Sequence, residues 1–432
     1  MRLPPAVITH AEQALREVMQ LAGPADSTLS RYFREHPKVG SRERGAVAEA
    51  VYAVLRNRLF YTNFAETGSG PMMRRMTLLG LADAVGFESL GGLSEQESEW
   101  LERLSKIDRS KMPERVRANM PSWLYDKLVA QYGESEALEL ADALNCPAPM
   151  DLRVNSLKAK REDVINALAT APIQSEPTRY APLGLRVHKK PALQNLPLFK
   201  EGSIEVQDEG SQILSQIVGA KRGEMVADFC AGAGGKTLSL GACMRNTGRL
   251  YAFDISEKRL SKLKPRLARS GLSNVHPVHI AHENDTKVKR LAGKLDRVLV
   301  DAPCSGLGTL RRNPDVKWRQ TPESLIELNE RQYAILSSAA RLVKPGGRLV
   351  YATCSLLEEE NEGVVRRFLD EHASFSLVPA NQVLAEQKID LDTGDYLKLL
   401  PHRHQTDGFF AAILERKQPE KQKTVEEKPG ED

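Results

Sequence analysis

No run in this sequence is long and apolar enough to cross a membrane, and residues 1–12 carry two prolines and no apolar core. Neither a spanning helix nor a secretory signal is therefore expected. Aromatic residues are scarce, at 6 %, and Tyr180 has no aromatic companion nearby, so a base-stacking RNA platform is not indicated. The net charge is only +4 over 432 residues, so total charge does not argue for nucleic acid and only local clustering can. The cysteines (Cys146, Cys230, Cys243, Cys304 and Cys354) show neither Cys-x-x-Cys metal spacing nor the density of a disulfide scaffold. These absences describe a cytoplasmic, monomeric protein with free thiols and no bound metal. Its length allows two or three domains and a sizeable core.

Against that background one stretch stands out, residues 225–236, which read MVADFCAGAGGK. Apolar residues suited to a buried strand run into Cys230-Ala231-Gly232-Ala233-Gly234-Gly235 and then into a helix-ready Lys236-Thr237-Leu238. A strand ending in small residues before a helix brings backbone N–H groups close to a ligand. The phosphate-binding loop Gly-x-x-x-x-Gly-Lys-[Ser/Thr], and with it a nucleotide-hydrolysing protein built on Gly235-Lys236-Thr237, is disfavoured by Cys230 at its first position, and the dinucleotide fingerprint Gly-x-Gly-x-x-Gly by Thr237 at its last. A second strand over 249–253 ends in Asp254, about 20 residues past the turn, where a carboxylate accepts ribose hydroxyls. Ribose without pyrophosphate points to S-adenosylmethionine. Ser256 is placed to cap the next helix, and Pro265 is expected to kink or shorten it.

Residues 1–145 read as mostly helical, with Val47, Val51, Val54 and Leu55 on one face and Ser41 as a cap. Residues 146–204 read as a small α/β unit. Lys and Arg outnumber Asp and Glu nine to four between 151 and 200, a surplus that includes Lys189 and Lys190 and makes this unit the candidate RNA-contacting surface. From 205 to 416 strands and helices alternate, which predicts a doubly wound, Rossmann-like α/β domain. A helix over 322–343 is expected, with Thr321 as cap and Pro345-Gly346-Gly347 as the stop. The charged tail, 417–432, is expected to be disordered.

Two further strand ends carry chemistry, Asp301-Ala302-Pro303-Cys304-Ser305-Gly306 and Tyr351-Ala352-Thr353-Cys354-Ser355. Ligands in such sheets bind outside the carboxyl ends of the strands, so both cysteines are expected to face the crevice of the glycine turn. One buried cysteine is ordinary packing; two in turns beside a methyl donor are not. C5 of cytosine is a poor nucleophile until a thiolate adds to C6, and an acid near N3, for which Asp301 is suited, stabilises the charge that develops. Chemistry alone leaves open which cysteine attacks.

These motifs, with Asn313-Pro314-Asp315-Val316-Lys317-Trp318 and Asp407-Gly408-Phe409-Phe410, resemble the bacterial RsmB-type branch of the Nol/Nop/Sun RNA 5-methylcytosine methyltransferases over most of 205–415. The resemblance implies S-adenosylmethionine as cofactor, RNA as substrate (ribosomal before transfer RNA), Cys354 as nucleophile and Cys304 as the residue that helps release product. It also implies a cofactor site over Cys230–Lys236 with Asp254 and Asp301, and a NusB-like RNA-binding module in the N-terminal helices. The sequence departs from the family at Ala233, where many members have proline, which leaves the loop less stiff. It departs again after the strand at 275–280, where either His282 or Asp285 takes the place of the aspartate near adenine. A non-enzymatic assembly factor on this fold would be marked by loss of Cys354 or Asp254, and neither is lost.

Overall fold

The computed structural model describes residues 2–188 and 191–419. Lys189 and Lys190, and the tail from 420 onward, lie outside the described residues. Helices fill the chain from Ala6 to Leu144, and no helix among the described residues is long and apolar enough to cross a membrane. In the Ser41–Arg56 helix, Val47, Val51, Val54 and Leu55 are all buried, as the 3.6-residue spacing requires. Ser41 is the first residue of that helix rather than its cap. The terminus is closed instead by Glu43, which accepts the Gly40 N–H at 3.0 Å. Packing divides the helical region: those up to residue 105 share one core, whereas Ser122–Tyr132 and Glu134–Leu144 pack on Leu307, Leu325 and Leu356 of the C-terminal domain.

Four short strands follow: β1 (Met150–Val154), β2 (Ser175–Pro177), β3 (Gly184–Val187) and β4 (Ile204–Val206). They form an antiparallel sheet in the order β2-β3-β1-β4. Not all of this unit's basic residues are available to RNA. Arg153 is buried, with Nε donating to Gln207 at 2.6 Å, and Arg186 pairs with the buried Asp151 at 2.9 Å.

The large sheet contains β5 (Met225–Asp228), β6 (Arg249–Asp254), β7 (Val275–His279), β8 (Leu295–Asp301), β9 (Val343–Thr353), β10 (Phe375–Val378), β11 (Leu397–Leu399) and β12 (Phe409–Arg416). Its order is β10-β12-β9-β8-β5-β6-β7, with β11 on β12. The strands from β9 to β7 are parallel, and β10, β11 and β12 are antiparallel additions. This is the Rossmann-like α/β arrangement the alternation predicts. Val298, Leu299 and Val300 of β8 are fully buried, as suits a strand covered on both faces. The chain runs outward through β6 and β7 and returns to start β8 beside β5. The crevice therefore opens between the carboxyl ends of β5 and β8.

The Glu257–Ser270 helix, capped by Ser256, runs on through Pro265 and is not cut short there. One local expectation fails. The helix begun at Pro322 stops at Ala340, and Pro345-Gly346-Gly347 lies inside β9 instead of ending the helix. Across β8 the β9 register shifts at Leu295/Arg297, so the turn-forming triplet is accommodated in a strand irregularity.

The Asn313–Trp318 motif binds the helical region to the sheet. Asp315 Oδ2 accepts the Ala25 N–H at 3.2 Å, at the start of the Ala25–Glu35 helix. Lys317, 1 % exposed, donates from Nζ to the Arg56 carbonyl at 2.9 Å and to Asn145 Oδ1 at 2.7 Å. Trp318 Nε1 donates to the Leu55 carbonyl at 2.7 Å. One turn thus caps a helix N-terminus with an anion and another's C-terminus with side-chain donors; burial and then Arg56 push Lys317 well below its ordinary range, so it acts there as a donor and not as a matched charge.

Candidate active site

The glycine turn follows β5 and leads directly into the Gly235–Cys243 helix. Gly234 adopts φ +86°, and a Cβ there would lie 2.1 Å from Leu263 Cδ1, so only glycine allows the turn and the close helix approach together. Arg266 donates to the Ala233 carbonyl at 2.6 Å, which fixes the loop where proline is missing. The Asp254 carboxylate, at the end of β6 and 5 % exposed, accepts the Gly232 N–H at 2.8 Å and the Ser256 N–H at 2.7 Å. Each of its oxygens keeps a lone pair for a ligand hydroxyl.

A cleft of about 850 Å³ opens over these strand ends. Cys230, Ala231, Gly232, Ala233, Gly235, Lys236, Asp254, Asp301, Cys304 and Cys354 all line it, whereas Gly234 shapes the turn from behind. His282 and Glu283 also reach the cleft. Asp285 does not: it caps the Thr286–Lys289 helix, and its bonds to the Ala281 and Lys287 N–H groups hold its carboxyl below its ordinary range. Ile255, which no sequence motif marks, is 65 % exposed on the cleft wall and offers a flat apolar contact beside Asp254. Acceptors for hydroxyls beside an apolar wall fit S-adenosylmethionine.

Opposite that wall stand the two thiols. Cys304 and Cys354 are both half-buried, with their sulfurs 3.4 Å apart, and the Cys354 N–H donates to Cys304 Sγ at 3.3 Å. Hydrogen bonding to Cys354, burial and the negative charge of Glu360 push the Cys304 thiol well above its ordinary range. Lys236 donates to Asp301 Oδ2 at 2.7 Å; burial works against its ammonium, but Asp301 and then Cys354 outweigh burial and raise it. Burial pushes Asp228 up to about 7 and the Cys230 thiol well up, so Cys230 is no nucleophile at neutral pH. The Asp407-Gly408 turn closes the far side. Gly408 N–H donates to the Gly308 carbonyl, and Gly308 N–H to the Cys354 carbonyl, both at 2.8 Å. A Cβ on Gly308 would meet the Gly408 carbonyl at 2.2 Å, which ties the Phe-Phe motif to the cysteine turn through two glycines.

Residues 215–415 match the model of the 16S rRNA methyltransferase RsmB/F family, and residues 120–194 match the RsmF/B-like ferredoxin-like domain. A probable ribosomal RNA small subunit methyltransferase B of Synechocystis is 33 % identical, over 93 % of this chain and 97 % of that protein. The chain belongs to the RsmB/F methyltransferase family. It is an RNA methyltransferase, and its cofactor is S-adenosylmethionine. A ribosomal RNA small subunit methyltransferase B of Yersinia pseudotuberculosis is 34 % identical over 82 % of this chain and 77 % of its own length. Among solved structures, a methyltransferase homolog from Pyrococcus horikoshii is 30 % identical and covers 72 % of this chain and all of its own, with a TM-score of 0.61. PH0851, at 26 % identity, covers 96 % of this chain and all of its own with a TM-score of 0.75, so its likeness runs through the N-terminal helices as well.

Proposed function

We propose that this protein methylates C5 of a cytosine in ribosomal RNA, in the cytoplasm, through a transient bond between Cys354 and C6 of the base. The observation that carries this is the thiol pair, 3.4 Å apart beside Lys236 and Asp301. Methylation of a nitrogen or oxygen needs no cysteine; methylation of C5 needs a nucleophile at C6 and a base for the C5 proton. S-adenosylmethionine, when bound, supplies an electrophilic methyl group. The Cys354 thiolate forms the S–C6 bond, and the C5=C6 electron pair moves towards N3. The Lys236–Asp301 pair offers a proton and positive charge there. After C5 has been methylated, Cys304 takes the C5 proton, the C5=C6 bond re-forms and Cys354 leaves as thiolate.

The glycine turn, Asp254 and Ile255 form the cofactor half of the cleft in this scheme, and the two cysteine turns form the base half. Ribosomal RNA is chosen because the Synechocystis and Yersinia relatives are named for it. Bisulfite sequencing of total RNA from cells with and without the protein tests both parts. A protected cytosine in ribosomal RNA that appears only with the protein is expected. Protection confined to transfer RNA would move the substrate, and none at all would remove the C5 chemistry.

A further inference from the structure

Glu360 lies in Glu358-Glu359-Glu360, where nothing in the sequence sets one acid apart. In the structure it is fully buried between the two cysteine turns. Ser305, which follows Cys304, donates its N–H to Oε1 at 2.8 Å and its hydroxyl to Oε2 at 2.5 Å. Ser355, which follows Cys354, donates its hydroxyl to the same Oε2. Gln332 donates to Oε1 at 2.9 Å and also to the Pro303 carbonyl at 3.1 Å. Those donors are all neutral, and Glu360 forms no ion pair among the described residues. A buried carboxylate without a cation is costly, and neutral groups could bracket two turns equally well. The charge therefore calls for a use of its own.

We propose that Glu360 is the positioning residue of the thiol pair: it brackets both cysteine turns through Ser305 and Ser355, and its charge keeps the shared proton on Cys304, so that Cys354 carries the attacking thiolate. The proposal rests on the cysteine roles given above. Two thiols at 3.4 Å do not both ionise, so one proton stays between them. Glu360 opposes an anion on Cys304, and Lys236 favours one on Cys354. Of the other groups near the pair, Asp301 is bonded to Lys236 and the Tyr351 phenol is pushed well up by burial and by Cys304. The Cys354 N–H favours an anion on Cys304 instead, and Glu360 counters it. Once Cys354 is bonded to C6 it no longer opposes ionisation of Cys304, which gives its proton to water in the cleft and, as thiolate, then takes the C5 proton.

Glu360→Gln keeps the shape and deletes the charge, since serine hydroxyls can turn to accept. In the full-length protein carrying Cys354→Ala, iodoacetamide alkylation of Cys304 is followed against pH by peptide mass spectrometry. Adding Glu360→Gln is expected to speed alkylation at pH 8 by about tenfold, one unit of thiol ionisation. An unchanged pH midpoint overturns the proposal. Ser305→Ala, in the otherwise native chain, decides the matter even if the glutamine variant does not fold. It keeps the charge but loosens the bracket, so methyl transfer is expected to fall by about tenfold or more with no lowering of the Cys304 midpoint. A lowered midpoint or full activity overturns the proposal. Alkylation uses no RNA, so failure of the cytosine chemistry would show separately, as no covalent adduct in Cys304→Ala.

Discussion

Asp254→Ala perturbs a carboxylate that serves two purposes at once. Its oxygens already hold the Gly232 and Ser256 N–H groups at 2.8 and 2.7 Å, so the side chain braces the glycine turn before any ligand arrives. Hydrogen bonds to a charged group are worth about 1.5–3 kcal/mol each, but water can re-enter at the cleft and replace part of that. A net stability loss of about 2 kcal/mol is expected, or about 4–8 °C in melting temperature for a domain of this size. The unpaired ribose hydroxyls add a cost on the ligand side of about 1–3 kcal/mol, a weakening of about 5- to 150-fold in S-adenosylmethionine affinity. Titration calorimetry reads the second number and a thermal melt the first. Asp254→Asn is not expected to rescue, because its NH₂ group would face one of the two N–H donors. If melting falls but affinity is unchanged, Asp254 only braces the turn and does not touch the cofactor.

The cysteines give the sharpest contrast: Cys354→Ala is expected to abolish methyl transfer with cofactor binding nearly intact, and Cys304→Ala to accumulate a protein–RNA adduct that survives denaturing electrophoresis. The double variant forms no adduct, and an adduct in Cys354→Ala would reverse the two roles. Neutralising Lys189 and Lys190 together is expected to weaken RNA binding and lower the log–log salt slope by about 0.7 for each phosphate no longer gripped; an equal slope would mean that neither lysine touches RNA. Asp228 and Asp407 are each pushed up to about 7, chiefly by burial, with Asp208 adding to the second. Asp228 stays protonated in the folded chain where the unfolded carboxyl is ionised, so it withdraws stability as pH rises from about 4 to 7, whereas the Arg312 guanidinium at 2.6 Å opposes that for Asp407. Asp228→Asn is expected to flatten that fall in urea melts across the window, and an unchanged slope would refute it.

Strand ends were the legible part of this site. A small-residue turn, Asp254, Asp301 and two cysteines each follow an apolar run, and parallel-sheet topology alone brings such ends together. Residues that act through contacts distant in sequence were not legible. Glu360 is one of three consecutive acids, and Ile255 one more aliphatic beside an aspartate; only the fold sorts the buried one from its neighbours and exposes the other. Arg153 and Arg186 entered the basic surplus because a charge count cannot see that an arginine is turned inward. Pro345 misled for a related reason. Local backbone preference is worth a few kcal/mol, and packing against the sheet overrides it.

The Asn313–Trp318 turn has a consequence for the order in which this protein is made. The carbonyl of Arg56 and its donor Lys317 are 261 residues apart, and the Leu55–Trp318 bond spans 263. At about 5–20 residues per second on the ribosome, the Ser41–Arg56 helix waits roughly 13–50 s for the side chains that finish its end. During that time water must serve those carbonyls, and the surface that will later receive Trp318 stands open. The N-terminal helices therefore have their own core to fold around first, and the end of the Ser41–Arg56 helix is sealed only once Lys317 and Trp318 have been translated.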